Sequence, residues 1–426
     1  MKVSDDTDQL INIAYLAPEL GALTSTFIYR EVQALQKRGI SIRLFSTTRP
    51  DEGQVSHEAR SIIDETTYLY DARLLTILAG ALNCLAHHPL RFCRAFVLLI
   101  HDILMSQTPS PYDRIKMLWH FLTGCRLATF LEHRHIQHVH AHFAHVPAAM
   151  AMYAGGLAGI PFSFTAHAND LFERGTALKE KVGRSAFAVA ISDYNRRFLI
   201  NIGGSAGRIH VVHCGLDVTK YKFRPAPPAN TPPLVFSVGR FVEKKGFAIL
   251  LEALSFLKQG GTAFHCVIAG TGPLYEEIDT KAQSSGLLEC VDLPGAMPQE
   301  RVKEIMGTAD VFVLPCVVAE SGDRDGIPVA LMEAMALGIP VVSTDISGIP
   351  ELIVNDENGL LVAPQDPLAL SQALTHLLQD PAYGETLAKH ARRTIEERFN
   401  LEIIAANLES LFRESISQRD ASGGQQ

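Results

Sequence analysis

Residues 223–233 read FRPAPPANTPP, five prolines in eleven positions with no apolar periodicity. Proline removes a backbone donor and fixes φ, so neither a helix nor an internal strand runs through such a segment. It divides a chain of 426 residues in two. On each side, strand-like runs alternate with helix-like runs, the pattern of an α/β protein with parallel sheets. Before it, strands are expected over 10–16, 40–45, 137–142, 162–165, 188–191 and 209–213. A helix over 25–36 places Ile28, Val32 and Leu35 on one face, and Gly39 ends it. A long helical stretch covers 71–133, broken at His87-His88-Pro89 and Pro109-Ser110-Pro111. After the proline segment, strands 234–238, 264–269, 291–293, 311–315 and 341–344 alternate with helices 246–259, 274–286, 298–307 and 328–338. Helices over 367–379 and about 401–414 follow.

An alternation that stops and restarts argues against one closed barrel. The expected fold class is α/β, two doubly wound Rossmann-like domains facing across a cleft, with ligands at the carboxyl ends of the strands. The expected limits are a first domain over 1–222, a hinge over 223–233 and a second domain over 234–395. A helix over 396–416 is placed to pack back on the first domain, and 417–426 is expected to be a disordered tail.

Composition narrows the function. With 47% hydrophobic and 20% charged residues the chain is a packed globular protein, not a disordered one. The charge of 38 − 46 = −8 argues against a nonspecific nucleic-acid binder, which needs to neutralise phosphates. Seven cysteines without a CxxC pair read as reduced, mostly buried thiols. The start, MKVSDDTDQL, has no apolar core of a signal peptide, and no run of ~20 apolar residues suits a transmembrane helix. The expected location is cytoplasmic, including the inner face of the membrane.

Two blocks carry the chemistry. In Val238-Gly-Arg-Phe-Val-Glu-Lys-Lys-Gly-Phe247 a strand ends and Arg240 and Lys245 lie on the loop into a helix, which makes an anion site beside a helix N-terminus. In Asp325-Gly-Ile-Pro-Val-Ala-Leu-Met-Glu333 an acid precedes a turn at Gly326, Pro328 starts a helix, and a second acid lies inside it. The first-turn N–H groups of the helix N-terminus at Gly326–Pro328, Gly326 and Ile327 among them, favour phosphate. Eight residues of helix span about 12 Å, the reach from a ribose to the sugar of a nucleotide-sugar. Taken singly, each block also reads as a solvated charged loop or a dipole-satisfying acid.

Together, GRFVEKKG, the acid-x7-Glu element some eighty residues later, and Gly338-Ile-Pro-Val-Val-Ser-Thr resemble the retaining glycosyltransferases of family 4, which have the GT-B fold. Ser163-Phe-Thr-Ala-His-Ala-Asn-Asp170 resembles the family's His-bearing loop, and His213-Cys-Gly-Leu-Asp217 its Asn-Gly-Val-Asp turn. The resemblance covers about 10–390, and RDGIPVALMEAMA resembles the branch that builds exopolysaccharides of the colanic-acid type. It implies that Arg240 and Lys245 hold the donor diphosphate and that Glu333 bonds the ribose hydroxyls. It implies that Asp325 and His167 contact the donor sugar, and that the loop 18–24, with Gly21, closes over the diphosphate or shapes the acceptor site. Asp325 stands where Glu is common, and Pro328 stands where the family often has Gly, removing one amide donor. His213-Cys214 stands for the usual Pro-Asn.

The remaining motifs have two readings each. Gly270-Thr-Gly272-Pro273 lacks the third glycine of a dinucleotide fingerprint and reads as a tight turn beside the nucleotide. Gly295-Ala296-Met297 reads as a plain loop or as backbone near the base. His138, His140 and His142 share one face of a strand; without HExxH or a nearby Cys pair, polar side chains at a cleft wall are favoured over a metal. Asp323-Arg-Asp325 matches a DxD triplet, but Arg240 and Lys245 already supply positive charge, so neither a metal nor a cofactor is expected. The stretch 71–133 is apolar, and with Arg134 at its end it has seven Arg and Lys against four acids, 7 − 4 = +3. It suits either peripheral membrane contact or a buried helix pair.

The expected function is transfer of a sugar from a nucleoside-diphosphate-sugar to a saccharide or lipid-linked saccharide, in exopolysaccharide biosynthesis. Two alternatives remain: a nucleotide-sugar epimerase of the same fold, which needs no acceptor, and a non-catalytic nucleotide-sugar-binding subunit.

Overall fold

The computed structural model describes residues 11–22, 26–51, 55, 60–105, 111–172, 176–224 and 230–423. Two compact units contain the chain. The first holds the residues to Ile191, Asn195–His213 and those from Glu402 onward; the second holds Ser192–Tyr194 and Cys214–Leu401.

The first unit has seven strands: β1 (Asn12–Ala17), β2 (Ser41–Ser46), β3 (Thr67–Tyr68), β4 (His138–His142), β5 (Phe162–Ala166), β6 (Phe187–Ala190) and β7 (Ile209–Val211). Their order is β3-β2-β1-β4-β5-β6-β7, and every pairing is parallel. The second unit has β8 (Leu234–Val238), β9 (His265–Ala269), β10 (Val291–Asp292), β11 (Val311–Leu314), β12 (Val341–Thr344) and β13 (Leu360–Val362), ordered β10-β9-β8-β11-β12-β13 and also parallel. In each sheet the order reverses once, between β1 and β4 and between β8 and β11. Loops diverge there and leave a crevice at the strands' carboxyl ends. The central strands are buried on both faces, which is why they read as continuous apolar runs rather than alternating ones.

The helical stretch 71–133 resolves into Leu74–His87, Pro89–Met105 and Pro111–His133. His88 breaks the first from the second; the second break, with Pro109, lies outside the described residues. A Cβ on Gly80 would lie 2.8 Å from the Arg126 Cα, so glycine lets the first of these helices approach the third.

Two expected boundaries move. The expected hinge at 223–233 is displaced: the chain passes between units at His213/Cys214 and returns at Leu401/Glu402. Leu216 N–H donates to Phe399 O (2.8 Å) and Leu401 N–H to Leu216 O (3.0 Å), so both crossings leave the second unit side by side. The flanks of the proline segment are tied into that unit. Arg224 donates to Leu337 O (3.0 Å) and Gly338 O (3.1 Å), and Asn230 to Asp310 (2.8 Å). Residues 225–229 lie outside the described residues. The expected tail is helical as far as Gly423, because Leu401–Gly423 is one helix; 424–426 lie outside the described residues.

That last helix covers one face of the first sheet. Phe412 is fully buried and meets His138 and His140 (5.3 Å each), Phe187 (5.7 Å) and Tyr15 (6.2 Å) edge-on or tilted. We expect Phe412→Ala to destabilise the first unit by about 3–5 kcal/mol, the cost of an emptied aromatic site. Urea unfolding followed by circular dichroism checks this, and a loss under about 1 kcal/mol would show that the ring does not hold the helix.

Candidate functional site

In the second unit the loops after β8, β9 and β11 are locked together by glycines. Gly246 has φ +68°, and a Cβ there would lie 1.8 Å from Pro315 O. No other residue fits both the backbone and the space. A Cβ on Gly270 (φ +133°) would lie 1.9 Å from Gly239 O, and one on Gly272 2.5 Å from Phe241 O. Phe241 N–H donates to Thr271 O (2.9 Å) and Leu274 N–H to Phe241 O (3.1 Å). The GTG turn is therefore the buttress of the Arg240 loop. Gly270 N–H also donates to Gly295 O (2.8 Å), which ties in the loop carrying half-buried Met297.

This framework brings Lys245 to Asp325. The loop after β8 and the loop after β11 flank the reversal, and Lys245 Nζ lies 2.7 Å from Asp325 Oδ2. Lys244 lies 2.9 Å from Asp323 and 3.7 Å from Asp325. The Cys316 thiol donates to Asp325 (3.4 Å). Burial works to raise the Asp325 pKa, but Lys245 and Lys244 outweigh it and hold the carboxyl below its usual range. Burial likewise works to lower Lys245, and Asp325 with Cys316 outweighs it, so the ammonium lies above its usual value. Burial and then Asp325 push the Cys316 thiol well up. The Asp323-Arg-Asp325 triplet is thus neutralised by two lysines. The Arg240 side chain, by contrast, is exposed and has no ion pair among the described residues.

Gly326 and Ile327 are buried in the turn before the helix Val329–Leu337. Glu333 projects from that helix, and Tyr221 Oη donates to it (2.6 Å). Sequence reasoning did not single out Tyr221, Lys244 or Cys316. Tyr221 was assigned to the wrong domain, and a Lys next to Lys245 or a lone Cys carries no motif. A cavity of about 210 Å³ lined by Phe223, Arg224, Asp310 and Pro340 lies at the opposite, amino ends of β8, β11 and β12.

In the first unit the expected polar wall at β4 is instead a buried hydrogen-bonded ladder. His138, His140 and His142 are at most 1% exposed. The Ser163 hydroxyl links His138 Nε2 (2.6 Å) and His140 Nδ1 (2.7 Å), and Thr165 meets His140 Nε2 (2.9 Å). Ser415 of the last helix meets His138 Nδ1 (3.2 Å). Glu31, His140 and His142 bring ligand atoms within 4.8 Å of one another. Both His140 nitrogens are engaged by hydroxyls, however, and Glu31 is engaged by Tyr15 and His142, so hydrogen bonding satisfies these groups.

His167 lies at the end of this network, buried between Phe27 (4.9 Å) and Phe143 (4.4 Å). Its backbone N–H donates to Asp170 (2.8 Å), which also accepts from Ala144 N–H. Glu31 Oε1 accepts from both Tyr15 Oη (2.8 Å) and His142 Nε2 (2.9 Å). His142 Nδ1 meets His167 Nε2 (3.4 Å), which joins the two rings. Gly21 (φ +98°) lies on the loop after β1; Leu23 and Thr24 of that loop lie outside the described residues.

Two parallel sheets of this strand order, seven and six strands, are those of the GT-B fold. The family profile described as Glycosyltransferase Family 4 matches residues 24–220, and that of Glycosyl transferases group 1 matches 219–396. The chain belongs to glycosyltransferase family 4. It is 39% identical over 251 residues to WcaL of Escherichia coli K12, assigned to colanic acid biosynthesis, covering 59% of each chain. It is 40% identical over 205 residues to the amylovoran biosynthesis glycosyltransferase AmsK of Erwinia amylovora, covering 48% of this chain and 50% of the relative. The matches thus span between half and three-fifths of these relatives' length. Among solved structures, Anabaena Alr3699/HepE in complex with UDP-glucose superposes with a TM-score of 0.69 at 16% identity, covering 96% of this chain and 100% of that one.

Acid should unfold the first unit. Burial lowers His138 to about 3 and takes His140 and His167 well below their usual value. As pH falls through about 6.5, the unfolded chain binds protons that the folded unit refuses. Stability is therefore full above that value and drops below it, by up to about 4 kcal/mol per pH unit for the three histidines. Urea midpoints measured from pH 7 to 5 check this. His138→Asn should reduce the slope by about 1.4 kcal/mol per pH unit, and a flat profile would contradict the assignment.

Proposed function

We propose that the chain transfers a sugar from a nucleoside-diphosphate-sugar to a hydroxyl of a saccharide or lipid-linked saccharide, with retention, in exopolysaccharide assembly. The observation that carries this is the pair of cations on one glycine-locked loop at the reversal of the second sheet, Lys245 held in place by Asp325 and Arg240 free of any described ion pair. A nucleoside diphosphate bound there gives both cations an anionic partner. The resemblance in motifs, the relatives in polysaccharide assembly and the UDP-glucose complex of a structural neighbour support the same reading.

The residues then divide the work. Arg240, Lys245 and the first-turn amides behind Gly326 and Ile327 stabilise the charge that develops on the departing diphosphate as the bond to the sugar breaks. Preorganised charge of this kind is usually the largest catalytic contribution. Glu333, oriented by Tyr221, takes the ribose hydroxyls, and the backbone near Met297 faces the base. Asp325, freed as the diphosphate takes Lys245, contacts sugar hydroxyls. For the first unit, the family resemblance gives His167 a role toward the donor sugar and the loop at Gly21 one toward the diphosphate or the acceptor.

Lys245→Ala should lower kcat by roughly 10²–10³ in a donor-consumption assay with UDP-sugars and a saccharide acceptor panel. Transfer near the wild-type rate would sink the proposal. Glu333→Gln should instead raise the donor KM about tenfold with little change in kcat, because ribose contacts are the same in the ground and transition states. A change confined to kcat would remove Glu333 from the ribose.

A further inference from the structure

We infer that the helices Leu74–His87 and Pro89–Met105, with the start of Pro111–His133, form a docking surface for an anionic lipid bilayer. Each of the first two helices carries two apolar stripes. On Leu74–His87 the inward stripe is Ile77, Gly80 and Cys84, all buried. Leu74, Leu78, Leu82 and Leu85 form a second stripe within about 80° of arc at 100° per residue, and all four are exposed. On Pro89–Met105 the inward stripe is Ala95, Leu99 and Asp102. Leu90, Val97, Ile100 and Leu104 face away from it, with Leu90 85% and Val97 66% exposed. Tyr112, Ile115 and Leu118 extend the exposed apolar set on the third helix. Monomeric proteins rarely leave so much large apolar surface in one place without a partner.

Charge decides which partner. Between residues 72 and 105 the only acid is Asp102. It is fully buried, with both oxygens bonded to Arg184 (2.6 Å) and one to Tyr153 (3.0 Å), so it contributes no surface charge. Arg73, Arg91 and Arg94 are exposed on the same stretch, followed by Arg114 and Lys116. The surface is thus apolar and cationic without an exposed carboxylate over 72–105, in a chain of net charge −8. Leu75, Leu78, Leu82 and Leu85 also have heptad spacing, which would suit a helix of a second copy. Two copies of the 72–105 face would bring arginines together with no exposed acid of that stretch to pair them, whereas anionic headgroups supply the missing charge. At 1.5 Å per residue the helices are about 21 and 26 Å long, short of a ~30 Å hydrocarbon core, so they lie in the interface rather than cross it. Among the described residues no helix is long and apolar enough to cross a membrane.

The inference rests on this surface alone, not on the transferase reading, and its assay needs no sugar. The full chain should co-sediment with vesicles of phosphatidylglycerol mixed with phosphatidylcholine and not with phosphatidylcholine alone, and added salt should release it. Leu75→Glu/Leu82→Glu/Val97→Glu should abolish binding; these side chains are exposed, and an unchanged urea midpoint confirms the fold. Should that variant unfold, Arg73→Gln and Arg94→Gln serve instead, each weakening binding roughly fivefold. No sedimentation with anionic vesicles, or sedimentation that survives the substitutions, overturns the inference. So does light scattering that shows a dimer which the triple variant converts to monomer.

Discussion

The contact between Gly246 and the carbonyl of Pro315 governs the second unit. Because no side chain fits there, the turn after β8 lies against the end of β11, and Lys245 is carried to within 2.7 Å of Asp325. A pair this sheltered is costly to desolvate, and breaking it by removing one partner leaves a charge uncompensated. The site therefore holds a cation in place, at the reversal of strand order, before any anion arrives. Arg240, on the same loop but outside the pairing, supplies charge that no described side chain cancels.

The two units share a strand order and differ in what they do with it. The second concentrates ionised groups on loops. The first buries neutral ones, in a ladder of histidines and hydroxyls beneath the helix Leu401–Gly423. Such a network is stable only when every member has a partner. Ser163 is the hinge of that satisfaction, serving His138 and His140 at once. The run Tyr15, Glu31, His142 carries this network on to His167, whose Nε2 lies 3.4 Å from His142 Nδ1.

Much of the fold was legible because buried parallel strands are apolar runs bounded by glycine and proline. Residues 234–238 and 341–344 match β8 and β12 to the residue. Strands β3 and β13, of two and three residues, were not among the expected strands. The histidine strand was legible as one-faced, but not its burial, since the Ser163, Thr165 and Ser415 that satisfy it come from other segments. The loop cations were visible from GRFVEKKG. Their pairing with Asp325 was not, because it spans 80 residues and depends on where a glycine lets two turns touch. The proline segment misled for a physical reason: proline excludes regular structure, but a stretch without regular structure need not be where the chain passes between units.

The claim on which the account turns is that the second unit grips a nucleoside diphosphate. A ligand that binds only the native state raises its unfolding temperature in proportion to the logarithm of its concentration over Kd. Thermal unfolding of the wild-type chain and of Arg240→Ala, each with UDP-, GDP- and ADP-sugars, measures this directly. The account predicts a concentration-dependent rise with at least one donor in the wild type and its loss or reduction in the variant. Equal shifts in both proteins, or no shift with any donor, would contradict it.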